Sequence, residues 1–470
     1  MTTTAPPNPL ADPRSGGPES NHSVAAGRLS AAAFRSGRLW LAWVGLDTVL
    51  ALAVRVATVL GRPNRSPTGD PFSYHFGANL LVEGFGFIDP WLYYGHNLHL
   101  HYQSAEYPPL FIGLLAISSL VGFKSFFAHR IWSCVIGAAG VPIAAYLGRD
   151  VMGGGRQGRR VGLLVGLIVA LYPNIWMSNE QVMSETIDPL VVGLVLLTAY
   201  RFWRRPGVWN AVAFGVALGV AALGRDELSL LTLIALPLML GARAITWRAR
   251  WGSLGLAAAA FCLVVGPWVG FNMVRFDKPV LISTGLGNTL ASADCANTFS
   301  GSKAGYWSLA CALAAPHYQY QDASVTSAQA QAYAMRFIRA HESALPRVIF
   351  DREGRTFAFW NPTLQIRQDA GVEIRPFHWA EVGLYSYYAL LVLSIPAVIA
   401  LRRRRIPIYP LLFVLGNVAI SVAITLGQTR YRSPFELCLA ITGAIGIELT
   451  GGFLWNHRPR RPRSVDPVPA

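Results

Sequence analysis

Charged side chains are scarce in this sequence: 14% of its 470 residues, against 53% apolar. With a mean hydropathy of +0.36, that excludes a soluble multidomain chain and points to a membrane protein. Acids are scarcer than bases, 25 against 40, for a formal net charge of +15. The bases never form one long basic surface. They sit in short clusters between apolar runs, which argues against nucleic-acid binding and fits cytoplasmic loops. Only five cysteines occur, Cys134, Cys262, Cys295, Cys311 and Cys438, and no Cys/His spacing resembles a zinc site. Three lie within apolar runs as small hydrophobes. Cys295 and Cys311 fall in the one long polar segment, where an external location predicts a disulfide. No internal repeat is evident. No cleavable signal peptide is expected, because the first apolar run, about 22 residues, is too long for a signal core and no A-x-A-like site follows it.

What the chain does hold is apolar runs, at 39–60, 109–122, 126–148, 161–177, 187–203, 207–223, 228–242, 252–274, 384–401, 407–426 and 434–455. Arginine clusters at 149–160, 201–205, 243–250, 402–405 and 458–463 read as cytoplasmic. Arg28, Arg35 and Arg38 put the N-terminus on the same side, and all five clusters join it only if 109–122 does not span. That run is about 14 residues long and opens with Pro108-Pro109, which suits an interfacial or re-entrant helix. The expected fold is therefore an all-α polytopic membrane protein, with about ten transmembrane helices plus interfacial helices in the first external loop. Residues 1–38 read as a disordered cytoplasmic N-terminus. Residues 39–274 form the membrane core with the external loop 61–125, and 275–383 form a long external loop. Residues 384–455 are the C-terminal transmembrane helices and 456–470 a cytoplasmic tail.

Polar residues that could carry chemistry concentrate in the external segments. Gly69-Asp70-Pro71-Phe72-Ser73-Tyr74-His75 follows the first span. Asp-Pro reads as helix N-cap plus first helical residue, and Phe72, Phe76 and Leu80 predict a stripe lying on the membrane. Asp70 is either that cap or a carboxylate at work in water. Glu106 and Tyr107 precede Pro108-Pro109, which fixes the chain direction there. Glu180 and Glu185 occupy the second external turn, as functional acids or as a dipole-favoured helix start. Arg225, Asp226 and Glu227 crowd a tight turn between two short runs. Arg430, Tyr431 and Arg432 precede the last span, where guanidinium groups suit either a phosphate or lipid headgroups. Asp47 and Arg55 share one face of the first span, where charge is costly.

Taken in order and on one face, these motifs resemble the GT-C class of membrane glycosyltransferases. The similarity is to the lipid-phosphate-sugar-dependent branch that includes the protein O-mannosyltransferases and the aminoarabinose transferase of lipid A. It is carried by Gly69, Asp70 and Tyr74; by Tyr107 to Leu110; by Glu180 and Glu185; by Arg225 and Glu227; and by Arg430 to Pro434. It covers about residues 39–455.

The resemblance implies an inverting transfer of a sugar from a polyprenyl-phosphate donor to an acceptor hydroxyl. The acceptor would be a cell-envelope glycan, lipid or protein, reached at the external face of the plasma membrane. Asp70 would be the catalytic base. Tyr74, His75, Glu106, Tyr107, Glu180, Glu185, Arg225, Glu227, Arg430, Tyr431 and Arg432 would bind substrate. Two departures stand out. Tyr107 occupies the position where the aminoarabinose branch has lysine, and the 275–383 loop matches neither relative. No phosphate-cradling Gly-rich loop or DxD pair occurs, as a donor other than a nucleotide sugar allows. No cofactor or metal is expected. Acids at 70, 180 and 185 could hold a divalent ion, but the resemblance to metal-independent relatives argues against it. The alternatives are a non-catalytic membrane scaffold, which leaves the clustered acids and arginines unexplained, and a lipid or sugar transporter, which would place ionisable groups near mid-membrane.

Overall fold

The computed structural model describes residues 19–95, 99–315 and 322–456. Helix α1 (Glu19–Leu60) contains the first span. The first loop holds α2 (Asp70–Val82) and α3 (Pro109–Leu120). There follow α4 (Phe126–Val151), α5 (Arg156–Leu171), α6 (Pro173–Gln181), α7 (Asp188–Arg204), α8 (Val208–Gly224), α9 (Ala235–Leu240) and α10 (Trp247–Arg275). The long loop folds into α11 (Leu286–Ala293), α12 (Ala296–Phe299), α13 (Leu309–Ala314), α14 (Ala323–Ala340), α15 (Leu345–Thr356) and α16 (Pro362–Glu373). The chain closes with α17 (Phe377–Arg403), α18 (Tyr409–Ile424) and α19 (Ser433–Asn456). Among the described residues no strand forms beyond one isolated bridge between Ile88 and Gln103. The protein is an all-helical polytopic membrane protein.

Among the described residues six helical segments are long and apolar enough to cross a membrane, and the bent pair α5–α6 makes a seventh if counted as one span. The other expected spans are short: α8, α18, and the 3-10 segment Asp226–Ile234 continued by α9. A helix of about 17 residues rises about 25 Å, less than the roughly 30 Å hydrocarbon core. Loops at the ends of these short helices therefore sink into the bundle, and Arg225, just after α8, is only 5% exposed. Helix α3 is shorter still at 12 residues, and it packs on α2. The disorder expected over 1–38 lies outside the described residues for 1–18, and from Glu19 the chain is helical. Of the C-terminal tail, 457–470 lie outside them.

The bend between α5 and α6 is 46° and has a local cause. Pro173 has no N–H to give the carbonyl of Val169, so the ladder breaks. Arg55 of α1 donates there instead, to Val169 O and Ala170 O, both at 3.1 Å, and to Asn179 Oδ1 at 2.6 Å. This accounts for the fully buried arginine in the first span. Asp47, eight residues earlier on α1, lies instead against Gly166 of α5.

The two ends of the bundle differ in charge. At one end Arg201 meets Asp150, Arg204 donates to Val151 O, Arg404 to Gln157, and Arg160 meets Glu448. The basic loops thus gather together. The opposite end carries most of the acids, paired with arginines such as Arg65, Arg225, Arg352 and Arg430, and the long loop covers it. Ser283 donates to Asp226, Thr284 N to Ala105 O, and Arg352 of α15 to Ala423 O. Cys295 and Cys311 form a disulfide that ties the start of α12 to α13.

Candidate active site

Four chain segments bring functional side chains to the covered end. One is the first turn of α2. The other three are 3-10 turns that lead into helices: Ser184–Ile187 before α7, Asp226–Ile234 before α9, and Thr429–Arg432 before α19. A short 3-10 turn projects successive side chains about 120° apart, so each turn aims some residues inward and others away. The turns border a cavity of about 500 Å³. Its floor is the first loop and the turns; its roof is α11 and the Trp307–Ala312 stretch of the long loop. Leu230, Leu286, Leu309, Ile424 and Leu426 make part of the wall apolar.

Asp70 opens onto this cavity. It is the first residue of α2, but it does not cap the helix as Asp-Pro suggests: Gly69 is the N-cap residue, and no side-chain cap bond exists. The carboxylate turns inward instead. Its Oδ1 accepts from the Tyr107 hydroxyl at 2.9 Å, and its Oδ2 lies 2.5 Å from Arg430 Nη1. Burial raises the carboxyl's pKa, but the Arg430 charge and these hydrogen bonds outweigh it and hold the group below the usual range. Tyr107 packs on Tyr74, ring centroids 4.6 Å apart. Glu106, also on the wall, is pushed up to about 8, first by burial and then by Asp89 and Asp70. It is therefore largely neutral at pH 7.

Arg225 is ringed by acids: Asp188 at 2.8 Å, Glu227 at 2.6 Å and Glu185 at 3.4 Å. Burial raises the Glu227 carboxyl despite this arginine. Arg430 reaches Asp70, with Glu373 at 3.8 Å and Glu185 at 3.9 Å. Glu185 Oε2 and Ser421 Oγ are buried without a protein hydrogen-bond partner, and both residues face the cavity. Among the described residues no three His, Cys, Asp or Glu side chains are grouped as a metal site would need.

Nine of the twelve expected residues line the cavity: Asp70, Tyr74, Glu106, Tyr107, Glu185, Arg225, Glu227, Arg430 and Tyr431. His75, Glu180 and Arg432 do not. His75 points away from Tyr74 into a buried contact with His129, Nδ1 to Nδ1 3.0 Å, and burial lowers it to about 4. Glu180 is clamped by Arg65 at 2.7 Å and by Arg130, joining the first loop to α4. Arg432 binds Glu436 at 2.6 Å and the carbonyl of Thr356, under the Tyr387 ring. Of the stripe Phe72, Phe76 and Leu80, the first two stack against Trp91 and Tyr94 and Leu80 is fully buried.

Several residues of the site were not singled out. Asp188, behind the wall, holds Arg225 at 2.8 Å, and its Asp188-Pro189 pair repeats the Asp-Pro signature of Asp70 and could have been found by it. Asp226 lies inside a turn already marked. Asn288 and Trp307 come from the long loop and carry no signal in the sequence.

The arrangement of the helices is similar in fold to solved glycosyltransferases of the GT-C class. Among solved structures, the oligosaccharyltransferase of Archaeoglobus fulgidus in the apo form is similar at 12% identity, over 88% of this chain and 51% of that one, with a TM-score of 0.53. The same protein in complex with zinc and sulfate is similar at 16% identity, over 88% and 49%, with a TM-score of 0.50. ArnT from Cupriavidus metallidurans bound to undecaprenyl phosphate follows at 14% identity, over 89% and 78%, with a TM-score of 0.38. No protein-family model matches the sequence, and no curated protein matches it. The chain spans about half the length of the oligosaccharyltransferase, and the likeness is one of fold.

Proposed function

We propose that this protein is an inverting glycosyltransferase that moves a sugar from a polyprenyl-phosphate donor to an acceptor hydroxyl at the external face of the plasma membrane. One observation carries the reading. A carboxylate with no capping duty, Asp70, stands beside a guanidinium, Arg430, in a partly apolar cavity at the end of the bundle opposite the basic loops. The charge rule makes those loops cytoplasmic and the cavity external.

Asp70 accepts the proton of the acceptor hydroxyl. The oxygen attacks the anomeric carbon, the bond from that carbon to the phosphate oxygen breaks, and polyprenyl phosphate leaves. One displacement inverts the configuration. Arg430 and Arg225 stabilise the charge on the departing phosphate, aided by the positive N-terminal ends of α7 and α19. Tyr107 orients the Asp70 carboxylate, and Glu106, Glu185 and Glu227 offer acceptors to sugar hydroxyls. Arg432 holds the 3-10 turn that carries Arg430 and does not itself meet the phosphate. The route uses no cofactor. The acceptor is a cell-envelope glycan, lipid or protein with an available hydroxyl.

Lipid analysis of a strain lacking the protein tests this. One polyprenyl-phosphate sugar should accumulate, because nothing consumes it. An unchanged pool of lipid-linked sugars would overturn the donor assignment.

A further inference from the structure

The proposed base and the proposed phosphate ligand hold each other. Arg430 Nη1 lies 2.5 Å from Asp70 Oδ2 while Tyr107 takes Oδ1. Both carboxylate oxygens are engaged, one by a full positive charge, and a carboxylate so held is a poor proton acceptor.

The other edge of the guanidinium is held separately. Arg430 Nε donates to Gln428 Oε1 at 3.2 Å, and Gln428 Nε2 donates to Glu373 Oε1 at 2.6 Å. Glu373 ends α16, so the long loop itself anchors the arm. The Gln428 backbone is fixed in turn by Gly427, whose N–H bonds Gly305 O at 2.8 Å. A Cβ at Gly427 would meet Arg352 O at 2.5 Å, so the close approach requires glycine. Arg430 is thus tied at Nε whichever partner its Nη atoms take.

We propose that the donor phosphate displaces Asp70 from Arg430, so that binding of the donor is what releases the base. The proposal rests on the donor reading above and adds a control to it. A phosphate offers the planar fork two oxygens at once, where Asp70 offers one. Before the donor arrives, the base is locked and an acceptor hydroxyl or a water in the cavity is not activated. With the donor bound, Asp70 keeps only Tyr107 and is available to the acceptor. When polyprenyl phosphate leaves, the lock closes. Binding is therefore ordered, donor first.

Binding of decaprenyl phosphate in detergent micelles to the full-length protein tests the exchange. The comparison is among the parent, Asp70→Asn, Arg430→Gln and the double variant, because a cycle isolates the coupling between the two side chains. Asp70→Asn should bind about tenfold more tightly than the parent, since Arg430 no longer has to leave a carboxylate. In the Arg430→Gln background the same change should matter less than about threefold. Asp70→Ser, a second neutral replacement, serves if Asp70→Asn does not fold. Equal tightening in both backgrounds would reflect only a lost negative charge and would overturn the exchange. So would no tightening in either. Failure of the parent to bind decaprenyl phosphate would overturn the donor reading and the exchange with it.

Discussion

Asp70 owes its direction to the residue before it. Gly69 has φ +63, a conformation that glycine adopts without penalty, and it takes the cap position that Asp-Pro otherwise claims. The carboxylate is left to the cavity. At the same scale, Arg430 and Arg432 are two residues apart on a 3-10 turn and point to opposite sides. Lysine at either site keeps the charge and loses the fork, but the two changes should differ in kind. Arg430→Lys should weaken polyprenyl-phosphate binding about tenfold and leave the melting temperature near the parent's. Arg432→Lys should cost about 1–3 kcal/mol of stability, because Glu436 and Thr356 O lose buried partners, with donor affinity nearly unchanged in whatever folds. Isothermal binding and thermal melts on both variants check this. Glu106 gives a pH dependence. Below about 8 its carboxyl is protonated and neutral; above that it is ionised and adds negative charge to the cavity proposed to take the donor phosphate. Donor affinity should fall as pH rises through about 8, and Glu106→Gln should remove that limb. An unchanged limb in Glu106→Gln would assign it to another group.

Among the elements, the apolar runs were legible because membrane burial writes long uninterrupted hydrophobicity. Each expected span became helix, that over 228–242 partly as a 3-10 segment, and the short Pro-Pro run became the 12-residue α3. The sequence could not announce which face of a helix its polar residues take. Tyr74 and His75 are neighbours on α2, yet one faces the cavity and the other faces His129. Between Glu180 and Glu185 the chain passes through Val182 in the left-handed region, φ 62, which reverses its course and sends the two acids apart. Glu373 and Trp307 meet the site only through packing of the long loop, and nothing local marks their place in it. Two element-level devices are testable. Arg55→Met should leave the carbonyls of Val169 and Ala170 and the amide of Asn179 unsatisfied at the α5–α6 break, costing roughly 3 kcal/mol or more in a melting experiment. The Cys295–Cys311 bridge closes a loop with a sequence separation of 16, worth about 3 kcal/mol by chain entropy. Cys295→Ser with Cys311→Ser should lower the melting temperature and loosen the α11–α13 roof, and reductant should do the same to the parent.

As a whole the molecule is polar in the electrical sense, with basic loops at one end and an acid-rich covered cavity at the other. In a Cys262→Ala background, Gly154→Cys should be shielded from an impermeant thiol reagent in intact cells and Ser302→Cys should react. The reverse pattern would invert the protein in its membrane. The central claim is that Asp70 takes the proton that lets an acceptor attack a lipid-linked sugar. Its most direct test is transfer from labelled polyprenyl-phosphate sugar to envelope acceptors by purified protein in proteoliposomes, parent against Asp70→Asn. Because Asp70 makes no cap bond, Asp70→Asn should fold, insert and bind donor, yet lose transfer by a factor on the order of 10² to 10⁴. Turnover above about half the parental rate, in a variant that binds donor, would contradict the account.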